Sequence, residues 1–320
     1  MFQSRPLSLR LRRLLFSPLL LVATLLVWFA PQPIFGQADS PVLKINQAAA
    51  ESKITRQQLR SNITVLMGSG GNIVAFTGPQ GKLLVDVGIA VSQPKIQAAL
   101  AGISPAPLKY VVNTHWHWDH TDGNAWARQA GATIIAHENV LKRLSTRSRV
   151  EDWNYTFPAT SQDHRPTLTF SNDMKLHFNG ETITLQTYGR GHTDGDISAY
   201  FAKADVLVLG DIFWNGYYPF IDNAWGGGIN DMIRWANASL SRATNKTLIV
   251  PGHGPVGNRA QLIAYRDMMV AVRGKVARLK KQGKTLNQVI AAKPTAAYDA
   301  KWGRFVIDPA FFTRLVYAGV

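Results

Sequence analysis

Short apolar runs divided by glycine open the patterned part of the chain. Ile63–Met67, Asn72–Thr77 and Lys82–Val87 are separated by Gly68-Ser69-Gly70-Gly71 and Gly78-Pro79-Gln80-Gly81, which predicts three strands in a meander. A helix is expected at Lys95–Leu100, then a buried strand at Leu108–Asn113 that runs straight into His115. Gly123–Gln129 reads as helix and Thr133–Ala136 as strand. Met174–Phe178 and Thr182–Thr187 form a hairpin around Asn179-Gly180, followed by strands at Ile197–Phe201 and Val206–Leu209. A helix near Asn230–Leu240 and a strand at Thr247–Val250 come next. From Arg259 an apolar stripe through Leu262, Tyr265, Met269, Val272, Val276 and Leu279 predicts a long helix, with Lys275, Arg278, Lys280 and Lys281 on its solvent side. Strands then helices thus occur twice, in two comparable halves that divide near residue 170 without a linker. That order predicts a layered α/β (α+β) domain. Three stretches are less patterned. Residues 39–60 are polar, with a short helix expected around Ala48–Leu59. Lys142–Pro166 reads as a surface loop or lid, and Trp225-Gly226-Gly227-Gly228 as a flexible loop.

The first 38 residues differ from the rest. Arg5, Arg10, Arg12 and Arg13 precede an apolar run from Leu14 to Ala30, broken by Pro31 and Pro33, and Gly36-Gln37-Ala38 offers a small-x-small cleavage site. This is the three-part pattern of a secretory signal peptide, and it predicts a periplasmic or secreted protein. An uncleaved membrane anchor is the alternative, at the short edge of what spans a bilayer. The whole chain carries 35 Lys and Arg against 20 Asp and Glu, a formal charge of +15; residues 1–38 hold four Arg and no acid, leaving +11. That charge is compatible with peripheral contact to an anionic membrane or an envelope polymer, while export argues against nucleic acid as the ligand. The chain has no cysteine. Disulfide scaffolds, thiolate metal sites and Cys nucleophiles are therefore excluded, and any metal must be held by His, Asp and Glu.

The strongest chemical signal is Thr114-His115-Trp116-His117-Trp118-Asp119-His120, four metal-ligand side chains within six residues after a buried strand. A tight turn at a strand end can point alternate side chains the same way, so His115 and His117 can share one metal while Asp119 and His120 point to a second. Gly191-His192-Thr193-Asp194-Gly195-Asp196, Gly210-Asp211 and Pro251-Gly252-His253-Gly254-Pro255 also sit at strand ends. Five of the eight histidines fall in these loops; His137, His164 and His177 stand apart and read as ordinary surface or core residues. Asp194 and Thr193 have two readings, fixing the His192 tautomer or stabilising their own turn. Trp116, Trp118, Trp214, Tyr217, Tyr218 and Trp225 flank the motif loops, as an aromatic pocket or as packing beneath it.

These motifs, His-x-His-x-Asp-His, Gly-His-Thr, Gly-Asp and Gly-His-Gly, resemble in kind and order those of the metallo-β-lactamase fold superfamily, over roughly residues 60–270. The resemblance implies a four-layer αββα sandwich, two mixed sheets face to face with helices outside. Together with the N-terminal pattern, it divides the chain into a signal peptide (1–38), an N-terminal extension (39–60) and a metallo-β-lactamase-like domain with C-terminal helices (61–320). It implies two Zn2+ per chain: His115, His117 and His192 hold one, Asp119, His120 and His253 the other, and Asp211 bridges them. A zinc hydrolase follows, in which a hydroxide between the metals opens a cyclic amide, lactone or ester of a small-molecule substrate. Asp119 is the candidate for orienting the nucleophile and moving its proton, and Asn215 for donating to the developing oxyanion. Aspartate at 211, where a major lactamase group has Cys, also resembles lactonases and thioesterases. A phosphodiesterase or nuclease, and a non-catalytic zinc-binding envelope protein, are the further alternatives.

Overall fold

The computed structural model describes residues 1–3 and 40–320. The chain divides into two compact units, Met1–Phe35 and Gly36–Val320, and the described strands and helices belong to the second. The expected signal peptide lies outside the described residues. Among the described residues, no helix is long and apolar enough to cross a membrane.

Fourteen strands and ten helices are described. The first half runs α1 (Pro41–Glu51), β1 (Thr55–Gln58), β2 (Ile63–Met67), β3 (Ile73–Gly78), β4 (Gly81–Val85), α2 (Gln93–Ala101), β5 (Leu108–Val112), α3 (Trp118–Thr121), α4 (Asn124–Gln129), β6 (Thr133–His137), α5 (Glu138–Leu144), β7 (Ser148–Val150), β8 (Tyr155–Phe157) and β9 (Leu168–Phe170). The second runs β10 (Asp173–Phe178), β11 (Glu181–Gln186), β12 (Ser198–Phe201), β13 (Val206–Val208), α6 (Ile229–Arg242), β14 (Leu248–Val250), α7 (Arg259–Lys281), α8 (Leu286–Ala291), α9 (Asp299–Trp302) and α10 (Pro309–Ala318).

Seven strands form one sheet in the order β1-β2-β3-β4-β5-β6-β9, antiparallel through β4 and parallel from there on. Five form a second, β10-β11-β12-β13-β14, antiparallel except for the last pair. Alternate residues of each strand enter different cores, as the two-residue period of a strand requires. Val74, Phe76, Leu83 and Val85 of the first sheet meet Ile183, Leu185, Phe201 and Val206 of the second in a shared core. Ile73, Ala75 and Leu84 point the other way, onto Ile96 and Leu100 of α2 and Trp126 of α4. Leu207 and Ile249 face outward onto Trp235 of α6, Met269 of α7 and Phe312 of α10. The result is a four-layer αββα sandwich. Because both faces of β3 and β4 are covered, those strands read as unbroken apolar runs rather than alternating ones.

Three weakly patterned stretches differ from expectation. The first helix is Pro41–Glu51, not 48–59: Ser40 caps it by accepting from the Val42 amide (3.2 Å), and Pro41 opens it. It ends at Ser52, and Thr55–Gln58 pairs with β2 as the edge strand. Residues 142–166 are not a plain loop, since they finish α5 and make the β7–β8 ribbon, with Trp153 buried between its strands. The glycines after Trp225 are packed against the His192 loop: Gly228 N donates to Gly191 O (3.0 Å), and Asp194 N to Trp225 O (3.1 Å).

Candidate metal centre

The site lies where strand ends of both halves open toward α1. β5 ends at Val112, and the chain bends through residues 114–116 before α3 turns, which brings Asp119 and His120 back beside His115 and His117. His192 follows β11, Asp211 follows β13, and His253 follows β14. Two glycines permit the convergence. A Cβ on Gly252 would overlap Asp211 Oδ1, and one on Gly71 would overlap the His120 ring. The second half is tied to the first by Asn72, whose Nδ2 donates to the carbonyls of Pro251 (3.0 Å) and Gly254 (2.9 Å).

All seven expected ligands come together, and all are buried. His115, His117, His192 and Asp211 offer ligand atoms within 4.8 Å of one another, and so do Asp119, His120 and His253. Asp211 stands between the groups. Its Oδ2 faces His192 Nε2 (3.5 Å) and His115 Nε2 (3.9 Å), while Oδ1 faces His120 Nε2 (3.1 Å) and His253 Nε2 (3.4 Å). Asp119 Oδ2 lies 3.3 Å from His253 Nε2 and 3.6 Å from His120 Nε2.

The outer ring nitrogens are held by partners that accept a proton. His117 Nε2 meets Asp222 Oδ2 at 2.9 Å, and His192 Nδ1 meets the Phe220 carbonyl at 2.9 Å. His120 Nδ1 meets Asp86 Oδ2 at 2.8 Å. Thr114 Oγ1 donates to the same carboxylate (2.7 Å) and so accepts from His115 Nδ1 (3.0 Å). Each of these partners fixes the tautomer and leaves the inner nitrogen with a bare lone pair. His117 Nδ1 and His192 Nε2 then face each other at 2.9 Å. His115 Nε2, His120 Nε2 and Asp211 Oδ1 are buried without a hydrogen-bond partner. Lone pairs and carboxylates converging in a buried space require a cation, and an imidazole–carboxylate set without thiolate suits zinc.

The proton affinities agree with that demand. Burial holds the His115 imidazole well below its usual range and takes His192 down to about 4. In His253 burial pulls downward, but the carboxylates of Asp211 and Asp119 outweigh it and raise the ring to about 9. His120 is raised in the same way by Asp211, Asp119 and Asp86. The acidic groups thus call for positive charge at the second trio, which a metal ion supplies as well as protons do.

The other residues expected at the site take varied places. Asn215 is buried and spends Nδ2 on the Pro255 carbonyl (2.8 Å), bracing the His253 loop rather than lining the cavity. Thr193 binds Asp196, through its amide and its hydroxyl (both 2.8 Å), and Asp194 pairs with Arg143; both stabilise the turn, while Phe220 holds His192. His137 caps α5, His164 meets Ser161 and His177 meets Thr182, all apart from the centre. Asp86, Thr114 and Asp222 were not singled out by sequence. Asp86 carried a usable signal, an acid just past the end of an apolar strand, as at Asp211. Asp222 and the Phe220 carbonyl carried none.

A cavity of about 560 Å³ opens onto Asp119, Asp211, His117 and His253. Of the six flanking aromatics only Trp118 and Trp214 line it, joined by Trp153, Phe220 and Phe305. Tyr218 is instead stacked in the core on Phe312 at 4.5 Å, and Trp116 packs beneath His117. Burial raises Asp196 to about 8, so this carboxyl behind His192 is held as the neutral acid at neutral pH.

Comparison with known proteins bears on this arrangement. A family model described as the metallo-beta-lactamase superfamily matches residues 66–253. The chain is 22% identical over 252 residues to a linear primary-alkylsulfatase of Pseudomonas sp. (strain ATCC 19151), covering 66% of this chain and 48% of that one. It is 28% identical over 159 residues to a metallo-beta-lactamase type 2 of Bacillus cereus, covering 50% of this chain and 57% of that one. It therefore spans about half the length of these curated relatives. The crystal structure of the DIM-1 metallo-beta-lactamase shares the fold, with a TM-score of 0.55 and 20% identity over 69% of this chain and 99% of that one.

Proposed function

The chain belongs to the metallo-beta-lactamase superfamily, and we propose that it is an exported dizinc hydrolase that opens a cyclic amide, lactone or ester. The observation that carries this reading is Asp211, whose two carboxylate oxygens each face a different group of histidines. His115, His117 and His192 would hold one zinc, and Asp119, His120 and His253 the other, with Asp211 between them. When bound, the zinc ions supply Lewis acidity and a water made acidic enough to attack at neutral pH.

The protein's own groups do the rest. Asp119 belongs to the second trio and also lines the cavity, so its carboxylate is placed to hold or pass a proton at a reacting group. Asp86, Thr114, Asp222 and the Phe220 carbonyl keep the imidazoles oriented with their inner lone pairs bare. Trp214, lying against His253 with ring centres 4.1 Å apart, and Phe220, Trp153 and Trp118 exclude water and receive an apolar substrate body.

The test is hydrolysis of a chromogenic cephalosporin, a lactone and an aryl ester by zinc-loaded protein, with a chelated sample and Asp211→Ala as controls. Turnover of any of the three, lost in both controls, supports the reading. No turnover of any of them in protein shown to hold zinc removes it. The alkylsulfatase relative supports a second reading, a sulfate ester at the same centre, and an alkyl sulfate belongs in the same panel. Export is proposed from the pattern of residues 1–38, and a secreted form whose mass begins at Asp39 would support it. A mass that includes Arg5 would remove cleavage.

A further inference from the structure

One face of α1 walls the cavity, with Pro41, Lys44, Ile45, Ala48, Ala49 and Ser52 recurring along it at helical spacing. The helix is clamped at both ends. Ser40 Oγ donates to the Trp153 carbonyl (2.6 Å), and the Trp118 indole donates to Asn46 Oδ1 (2.9 Å). At the far end Lys95 Nζ donates to the carbonyls of Ala49 (2.8 Å) and Ala50 (2.7 Å), and Ser92 Oγ to Ala49 (2.9 Å). These donors satisfy carbonyls that a helix C-terminus leaves open. A helix fixed in this way holds the backbone of its cavity-facing residues in place.

Lys44 is the one charged side chain lining this cavity, among the described residues, that is not a candidate metal ligand. Lys44 is exposed, and among the described residues no acidic group pairs with it. The positions three and four residues away are Ser40, Pro41, Gln47 and Ala48, none of them acidic, and Glu51 is taken by Gln47 (3.0 Å). No described residue makes an ion pair or hydrogen bond with its ammonium. The same lining carries the apolar side chains Ile45, Trp153, Phe220, Phe305 and Val306. An unpaired cation beside an apolar wall complements an amphiphilic anion.

We propose that Lys44 is a specificity-determining residue that recognises an oxyanion, carboxylate or sulfate, carried by an apolar substrate away from its scissile bond. The inference deepens the hydrolase reading and takes from it the reacting end of the substrate. The anion here is not the group that reacts.

The test is calorimetric binding of octanoate, octyl sulfate and octanol to zinc-loaded wild type, Lys44→Glu and Lys44→Arg. The metal attracts the anionic probes in every variant, so the difference between variants reports Lys44. Lys44→Glu should weaken at least one of the two anions about fivefold, a loss that shrinks with added salt, and leave octanol unchanged. Lys44→Arg should restore binding, and the anion that responds more strongly identifies the headgroup. Equal affinity of wild type and Lys44→Glu for both anions overturns the proposal. So does an equal loss for octanol, which would mean a damaged wall rather than a missing charge. In a kinetic arm, KM for p-nitrophenyl esters with a carboxylate-ended acyl chain should rise about fivefold in Lys44→Glu with kcat unchanged, and KM for neutral esters should not move. If no ester is turned over while the calorimetric difference persists, the acyl-hydrolase reading fails and the assignment of Lys44 stands.

Discussion

The floor of the cavity and its rim are built from different parts of the chain. The floor comes from strand ends in the interior of the sequence, and four of its histidines have an outer nitrogen held by a named partner. The rim comes from α1 and from residues 303–307 between α9 and α10, where Phe305 is 44% exposed and Val306 36%. Rigid first contacts with rigid supports suit a centre that must hold charge without reorganising. Exposed apolar residues on outlying segments suit choice among substrates, because they change without disturbing the floor. On the proposed reading, the reaction belongs to the interior of the sequence and selectivity to the two ends of the described domain.

Four substitutions can break or sharpen that division. The largest effect is expected at Asp211, which both halves of the floor share. Asp211→Ala should lower bound metal and reduce turnover by on the order of a thousandfold or more; near-normal turnover would refute the shared centre. Next is Asp86→Ala, which frees both Thr114 and His120. Chelator competition should show metal affinity falling about 10- to 100-fold, although Asp86 does not line the cavity beside the centre. At the rim, Phe305→Ala should raise KM for apolar substrates roughly three- to tenfold, by loss of apolar contact, and leave metal affinity as it was. A fall in metal content there would mean that rim and floor are not separable.

The smallest effect is a slope rather than a loss. Asp196 titrates at about 8 in the folded protein, against about 4 for an unfolded aspartate. Between those values the folded state keeps a proton that the unfolded chain has released. Its contribution to stability is therefore fully present below the lower value and lost as pH rises through the upper one. Denaturant titrations of Asp196→Asn should lack this decline. An unchanged pH profile would show that the carboxyl behind His192 is ionised.

The floor was legible in the sequence because each ligand lies beside a local signal, an apolar strand ending in Gly, His or Asp. The strands at 63–67, 72–77 and 82–87 were legible for the same reason, being short apolar runs bounded by turn residues. The rim was not. Trp153 lines the cavity because Ser40 reaches its carbonyl across 113 positions, and no periodicity encodes that contact. The first helix begins at Pro41 rather than Ala48 because the Ser40 cap and Pro41 set its start, a local signal within a stretch without apolar periodicity. The six flanking aromatics all lie near the motifs in sequence, yet nearness in sequence does not decide which face a ring takes: Tyr217 lies against Phe305 while its neighbour Tyr218 enters the core.

Asn72 has a consequence for how the protein comes into being. Its amide spans 179 positions to Pro251 and 182 to Gly254. During synthesis from the N-terminus, His115, His117, Asp119 and His120 are made long before Asp211 and His253. Closing so long a loop carries an entropic cost that only the docked halves offset, so it belongs to the late events of folding. The complete set of ligands therefore comes into existence only after that closure. On the proposed reading, metal capture at full affinity would report that folding has finished, and a chain halted before residue 253 would lack His253 and bind only with a partial set.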